Sequence, residues 1–140
     1  MKSTNYYNTF IEVSEDCPIT SAEIPPYKGE GKSAALLQFE MIYHHPYKYS
    51  MDDVVFGVYA TKNSINFQDT QSKEMFFSKG QPCLRASALG KRYGWGIHCD
   101  ENGKMAIYPV ESEAYQAYKA DKNLTHLKAM RTSKQKSISR

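Results

Sequence analysis

Apolar and polar positions change their rhythm several times along the chain, and each change predicts an element. In "YNTFIEVSED", Thr9, Ile11 and Val13 alternate with Phe10 and Glu12, the period of two that marks a half-buried strand at the start of the fold. "CPITSAEIPPYKGEGK", Cys17 to Lys32, holds three prolines and two glycines and predicts an exposed loop. From Ser33 the spacing becomes helical. Leu37, Met41 and His44 recur at i, i+4 and i+7, Ser33 is placed to cap, and Pro46 denies helical backbone to the residue before it. The run Val54 to Ala60 is apolar on both faces and rich in β-branched and aromatic residues, which predicts a central strand, with Asp52 and Asp53 capping or flanking it. "SINFQDTQSKE" is polar and predicts a loop, with a fraying edge strand at most.

After Phe76 and Phe77, "SKGQPCLRASALGKRYG" predicts a short helix with Pro82 in its first turn and Leu84, Ala88 and Leu89 as its stripe. Gly90 or Gly94 would end it in left-handed backbone. The clearest signal follows. Trp95, Ile97 and Cys99 alternate, Asn102-Gly103 supplies a tight turn, and Met105 and Ile107 alternate with Ala106 and Tyr108, so a β-hairpin spans residues 95–108. Ser112 then caps a helix over "EAYQAYKAD", a second helix is expected over Asn123 to Met130, and the polar end "RTSKQKSISR" should be frayed or disordered.

The resulting class is α+β: one two-layer domain, residues 1–120, with helices packed on a mixed or antiparallel sheet that contains the hairpin, and a basic tail, residues 121–140, helical and then disordered. With 140 residues, 41% apolar and 24% charged, the chain can bury a core without metal or disulfides. No apolar run is long enough to span a membrane, and the first residues lack the apolar stretch of a signal peptide. Three widely spaced cysteines, Cys17, Cys83 and Cys99, form neither a disulfide framework nor a zinc motif, and a cytoplasmic location is expected. The net charge of +3 is unevenly spread: residues 119–140 carry seven cations against one acid, which leaves residues 1–118 at −3.

Candidate chemistry is sparse. In "ALGKRYGWGIH", Gly90, Gly94 and Gly96 would let the backbone approach an anion, Lys91 and Arg92 supply charge, and Tyr93 or Trp95 can stack on a base. The plainer account, which the spacing favours, is a helix handing over to a strand, with Trp95 anchoring the core. His44 and His45, with His98 and Cys99, suggest a metal, but neighbours point apart on helix and strand alike and each pair offers one ligand easily, so no metal is assigned. Cys83, beside Pro82 at a helix start, is a candidate nucleophile with His44 or His98 as base. The basic tail, striped by Leu124, Leu127 and Met130, would suit nucleic acid or an acidic membrane surface.

The blocks "NTFIEVSEDCP", "HPYKYSMDDVVFGVYA", "FFSKGQPCLRASALGKRYGWGIH" and "GKMAIYPVESEAY" resemble a family of small soluble bacterial proteins known as domain of unknown function 6157, over about residues 5–118. The resemblance implies a single-domain bacterial cytoplasmic protein and carries no activity. The expected function is a non-enzymatic binding or accessory domain without a cofactor, taking a nucleotide, nucleic acid or other anion at residues 90–96. The alternatives are a small cysteine/histidine enzyme and a self-associating structural protein that forms a homodimer through its tyrosines.

Overall fold

The computed structural model describes residues 2–132. Its main sheet has four strands in the order β5-β4-β1-β6, where β1 is Thr9–Glu12, β4 Trp95–Cys99, β5 Met105–Pro109 and β6 Thr125–Lys128. β4 is antiparallel to both β1 and β5, while β6 runs parallel to β1, so the sheet is mixed. A small second ribbon, β2 (Tyr27–Lys28) with β3 (Gly31–Lys32), lies within the proline-rich loop. The fold is a single α+β domain with five α-helices among the described residues.

The hairpin forms as its alternation requires: Ile97 faces Ile107, Cys99 faces Met105, and Gly103 takes φ +77° in the turn. β1 is buried on both faces at Phe10 and Ile11, because helices cover both sides of the sheet there. On one side Leu36, Phe39 and Ile42 of α1 (Ala34–Tyr43), Met51 and Val54 of α2 (Met51–Lys62), and Leu89 of α4 (Ala88–Lys91) pack with Ile11, Trp95, Ile97, Met105 and Ile107. On the other, α5 (Glu113–Ala120) brings Tyr115 and Tyr118 against Phe10. Ser33 caps α1 and Ser112 caps α5, each accepting a hydrogen bond from the N3 amide.

Four stretches depart from their sequence expectations. Val54–Ala60 lies in α2, not in a strand. Ser50 and Asp53 form a reciprocal capping box, and the helix is apolar all round because it packs between α1, the sheet and a satellite core of Phe56, Ala60 and Phe77. The polar stretch expected as loop carries α3 (Thr70–Phe76), started by Asp69, which accepts from the amide of Ser72. The single helix expected after Phe77 is broken into a 3-10 turn, Leu84–Ala86, and the one-turn α4, because Ser87 caps a second start between them. Residues 125–128 of the expected second C-terminal helix form β6: the open edge of β1 offers a full ladder of backbone partners that a weakly striped helix cannot match. The disorder expected for the polar end falls on residues 133–140, outside the described residues. Among the described residues no helix is long and apolar enough to cross a membrane.

The α2 capping box gives an acid-side prediction. Burial opposes ionisation of Asp53, but the Lys73 ammonium at 2.7 Å and the Ser50 amide at 3.0 Å outweigh it and hold the carboxyl below the ordinary 3.8. A carboxyl depressed on folding stabilises the native state above its unfolded pKa, and that contribution is lost as pH falls through the folded value. Urea midpoints measured between pH 5 and pH 2 should therefore fall more steeply for the native sequence than for Asp53→Asn. Parallel curves would show that the pair adds nothing.

Candidate functional site

The bend at residues 88–96 is built by local hydrogen bonding. Ser87 accepts from the Leu89 amide, and the amides of Arg92 and Tyr93 both donate to the Ala88 carbonyl, closing α4 after one turn. Gly94, at φ +81°, turns the chain into β4, and a Cβ there would lie 3.1 Å from Ala22 Cα, so strain and crowding both exclude a side chain. At Gly96 a Cβ would come within 2.6 Å of the Tyr115 ring and 2.8 Å of Phe10, so α5 approaches the sheet closely only because that position is bare. These glycines serve packing and the turn. Arg92 stacks on Tyr93 at 5.1 Å and lies 3.6 Å from Glu23, both partners about half-exposed.

Trp95 leaves the bend pointing the other way. Its indole Nε1 donates to the Glu23 carbonyl at 2.8 Å, and its ring meets Phe39 edge-to-face at 5.1 Å and Tyr43 at 5.6 Å. Phe39 and Tyr43 stack one turn apart on α1 at 4.9 Å, and His44 closes the row at the helix end. With Ala22 and Ile24 of the proline-rich loop opposite, these rings line a cleft of about 450 Å³, a volume suited to a small organic ligand. Two carboxylates, Glu40 of α1 and Glu111 after β5, also line it, and among the described residues no lysine or arginine does. Glu40 accepts from Lys32 Nζ at 2.8 Å, and Glu111 accepts from the Ala22 amide at 2.8 Å.

The cleft thus unites Trp95 and His44 and leaves the other singled-out residues elsewhere. His98 lies on the opposite face of the sheet, half-buried under α5. There Tyr47 Oη is 2.8 Å from His98 Nδ1, 2.8 Å from Tyr108 Oη and 3.2 Å from Tyr118 Oη, and Tyr118 stacks on the imidazole at 4.2 Å. Burial lowers the His98 pKa, and burial reinforced by its phenol partners pushes Tyr47 far above an ordinary tyrosine. The network fixes a Tyr47 backbone held at φ +61°, in the left-handed region. Local pattern gave no sign of it, since Tyr47 comes from the loop after α1. The one legible part was the strand alternation that puts His98 and Tyr108 on the same face.

Cys83 is the N-cap of the 3-10 turn, and its Sγ lies 3.6 Å from the Tyr6 hydroxyl. Cys99 is fully buried in β4, and burial, helped by Asp100, pushes its thiol up to about 12. Native protein treated with iodoacetamide at pH 8 should leave Cys99 unmodified until denaturant is added. Rapid native labelling of Cys99 would mean that β4 opens locally. His45 packs edge-to-face on Tyr49, and among the described residues no three histidine, cysteine, aspartate or glutamate side chains gather closely enough to hold a metal ion.

A family model described as "Family of unknown function (DUF6157)" matches residues 1–135. No curated protein and no solved structure matches the chain.

Proposed function

The chain belongs to this family of unknown function, and from that premise we propose that it is a non-enzymatic binding domain whose ligand is a small organic molecule seated in the cleft between α1 and Trp95. One observation carries the reading: the single tryptophan of the chain, anchored through its N–H, joins Phe39 and Tyr43 in lining a concave space edged by fixed polar groups. The anionic version of this reading, centred on Lys91 and Arg92, has weaker support. The cleft is edged by carboxylates, and Arg92 already faces Glu23 and Tyr93. The enzyme alternative needs a nucleophile beside a base, whereas Cys83 is engaged by Tyr6 and His98 by Tyr47 on the other face of the sheet. Free thiols at Cys17, Cys83 and Cys99 support a cytoplasmic setting.

Trp95 is its own reporter. Titrating a library of small aromatic, aliphatic and amine compounds should give saturable changes in tryptophan emission for the compounds that bind. Tyr43→Ala, at a side chain 50% exposed, should weaken those compounds about tenfold. Two results would overturn the reading. One is binding of an oligonucleotide or nucleoside triphosphate that falls steeply with salt and is lost in Lys91→Ala with Arg92→Ala, which moves the site to the bend. The other is rapid alkylation of Cys83 at neutral pH, which favours the enzyme.

A further inference from the structure

Building on that cleft, we infer that its occupant is an organic cation, a compound with an alkylated ammonium group. Three features of the walls point to positive charge. The rings of Tyr43 and Trp95 meet at 72° and those of Phe39 and Trp95 at 62°, so they form a corner instead of a flat stack. Aromatic faces carry partial negative charge; Phe39 and Trp95 are buried, so the half-exposed Tyr43 offers the main face to a rounded cation and the other two rings the floor beneath it. The electropositive N–H edge of Trp95, which would repel a cation, is turned away onto the Glu23 carbonyl.

The second feature is fixed negative charge. Glu40 and Glu111 both line the cleft; the Lys32 ammonium at 2.8 Å already offsets the first, so the charge on offer is chiefly that of Glu111, which the Ala22 amide holds at 2.8 Å. A carboxylate already held in place loses little conformational freedom when a cation arrives, and it attracts that cation from solution. The third feature is the composition of the lining. Among the described residues no lysine or arginine lines it, and Lys32 is already paired with Glu40, so an anionic ligand would face the Glu111 carboxylate, whereas an ammonium meets that carboxylate and ring faces together. A quaternary or heavily alkylated ammonium suits the site better than a primary amine, because its charge is spread over methyl groups that pack on rings and ask for no hydrogen-bond acceptor within the corner.

The test uses four probes on the full chain at constant ionic strength: choline, its neutral isostere 3,3-dimethyl-1-butanol, the similarly shaped anion 3,3-dimethylbutyrate, and the smaller cation tetramethylammonium. Tryptophan emission and calorimetry read binding at millimolar concentrations. Choline and tetramethylammonium should bind, with choline at least tenfold tighter than the neutral isostere and the anion weakest of all. Tyr43→Leu keeps apolar area but removes a π face, and Glu111→Gln removes one charge. Each should reduce cation affinity about tenfold while leaving the neutral isostere within about twofold. If the neutral or anionic probe binds as well as choline, the cation inference falls while the cleft remains a binding site. If none of the four binds, the inference falls as well, and the compound library then decides the fate of the cleft by itself.

Discussion

Replacing Phe10 by alanine is expected to lower stability by about 3–5 kcal/mol, the range for truncating a fully buried aromatic ring. Phe10 lies at the middle of β1, between β4 and β6, and none of its surface reaches solvent. Tyr115 meets its ring edge-on at 5.1 Å and Tyr118 stacks on it at 5.6 Å. Both neighbours belong to α5, which is tied to the sheet further by the Tyr115 hydroxyl, hydrogen-bonded by the Val13 amide at 3.0 Å. The cavity left by alanine cannot collapse, since β1 is hydrogen-bonded on both edges and α5 is pinned at its start by Ser112. Urea unfolding of Phe10→Ala and of Phe10→Leu checks this: leucine, which refills most of the volume, should cost far less than alanine. A loss below about 1 kcal/mol for alanine would mean that α5 does not pack as described.

The second large effect belongs to a charge. Asp52 is 3% exposed, in the first turn of α2, and its carboxylate accepts from the Ser3 hydroxyl at 2.8 Å and from the Thr4 amide and hydroxyl, both at 2.7 Å. The Asp52 amide in turn donates to Asn5 Oδ1 at 2.9 Å. This clamp holds the start of the chain on the helix, where Lys2 also reaches the Phe77 carbonyl at 2.8 Å. Asp52→Ala strands the Thr4 donors in a buried place and removes an anion from the positive end of a helix. About 3 kcal/mol is the expected cost, from the loss of charged hydrogen bonds and the desolvation left behind. Asp52→Asn, which keeps the shape and one acceptor oxygen, should fall between the two. Faster amide exchange at Thr4 in the alanine variant would accompany the loss, and stability within about 0.5 kcal/mol of the native protein would show that the clamp is ornamental.

These two residues also show how differently the chain could be read. Phe10 and Ile11 were legible as a strand through alternation, and the depth of their burial was not, since α5 arrives from a hundred residues away. Asp52 stood next to an apolar run read as a strand. The signal that reverses this reading was present: Ser50 and Asp53 at capping-box spacing, followed by twelve residues of helix, Met51–Lys62, a length more natural to a helix than to a strand. Burial on nearly all sides erased the amphipathic stripe that identifies a surface helix. β6 failed for the opposite reason. Thr125–Lys128 is short, polar and mostly exposed, and it becomes a strand through the ladder it completes with β1.

The site divides in the same way. Trp95 and His44 were singled out in the sequence, though the first for stacking on an anionic ligand and the second as a candidate base for Cys83. Phe39, Tyr43, Glu40 and Glu111 were not, because one face of a helix, a loop and the end of a strand look unrelated until they meet. Short-range pattern along the chain was enough to mark the hairpin, the opening strand, the serine caps of α1 and α5 and a glycine bend at Gly90 or Gly94, since each is signalled by residues a few positions apart. Packing between distant segments settled the helical state of α2, the strand at the C-terminal side and the acid-edged aromatic cleft. Those features exist through surfaces and backbone partners contributed by other parts of the molecule, and no window of neighbouring residues contains them.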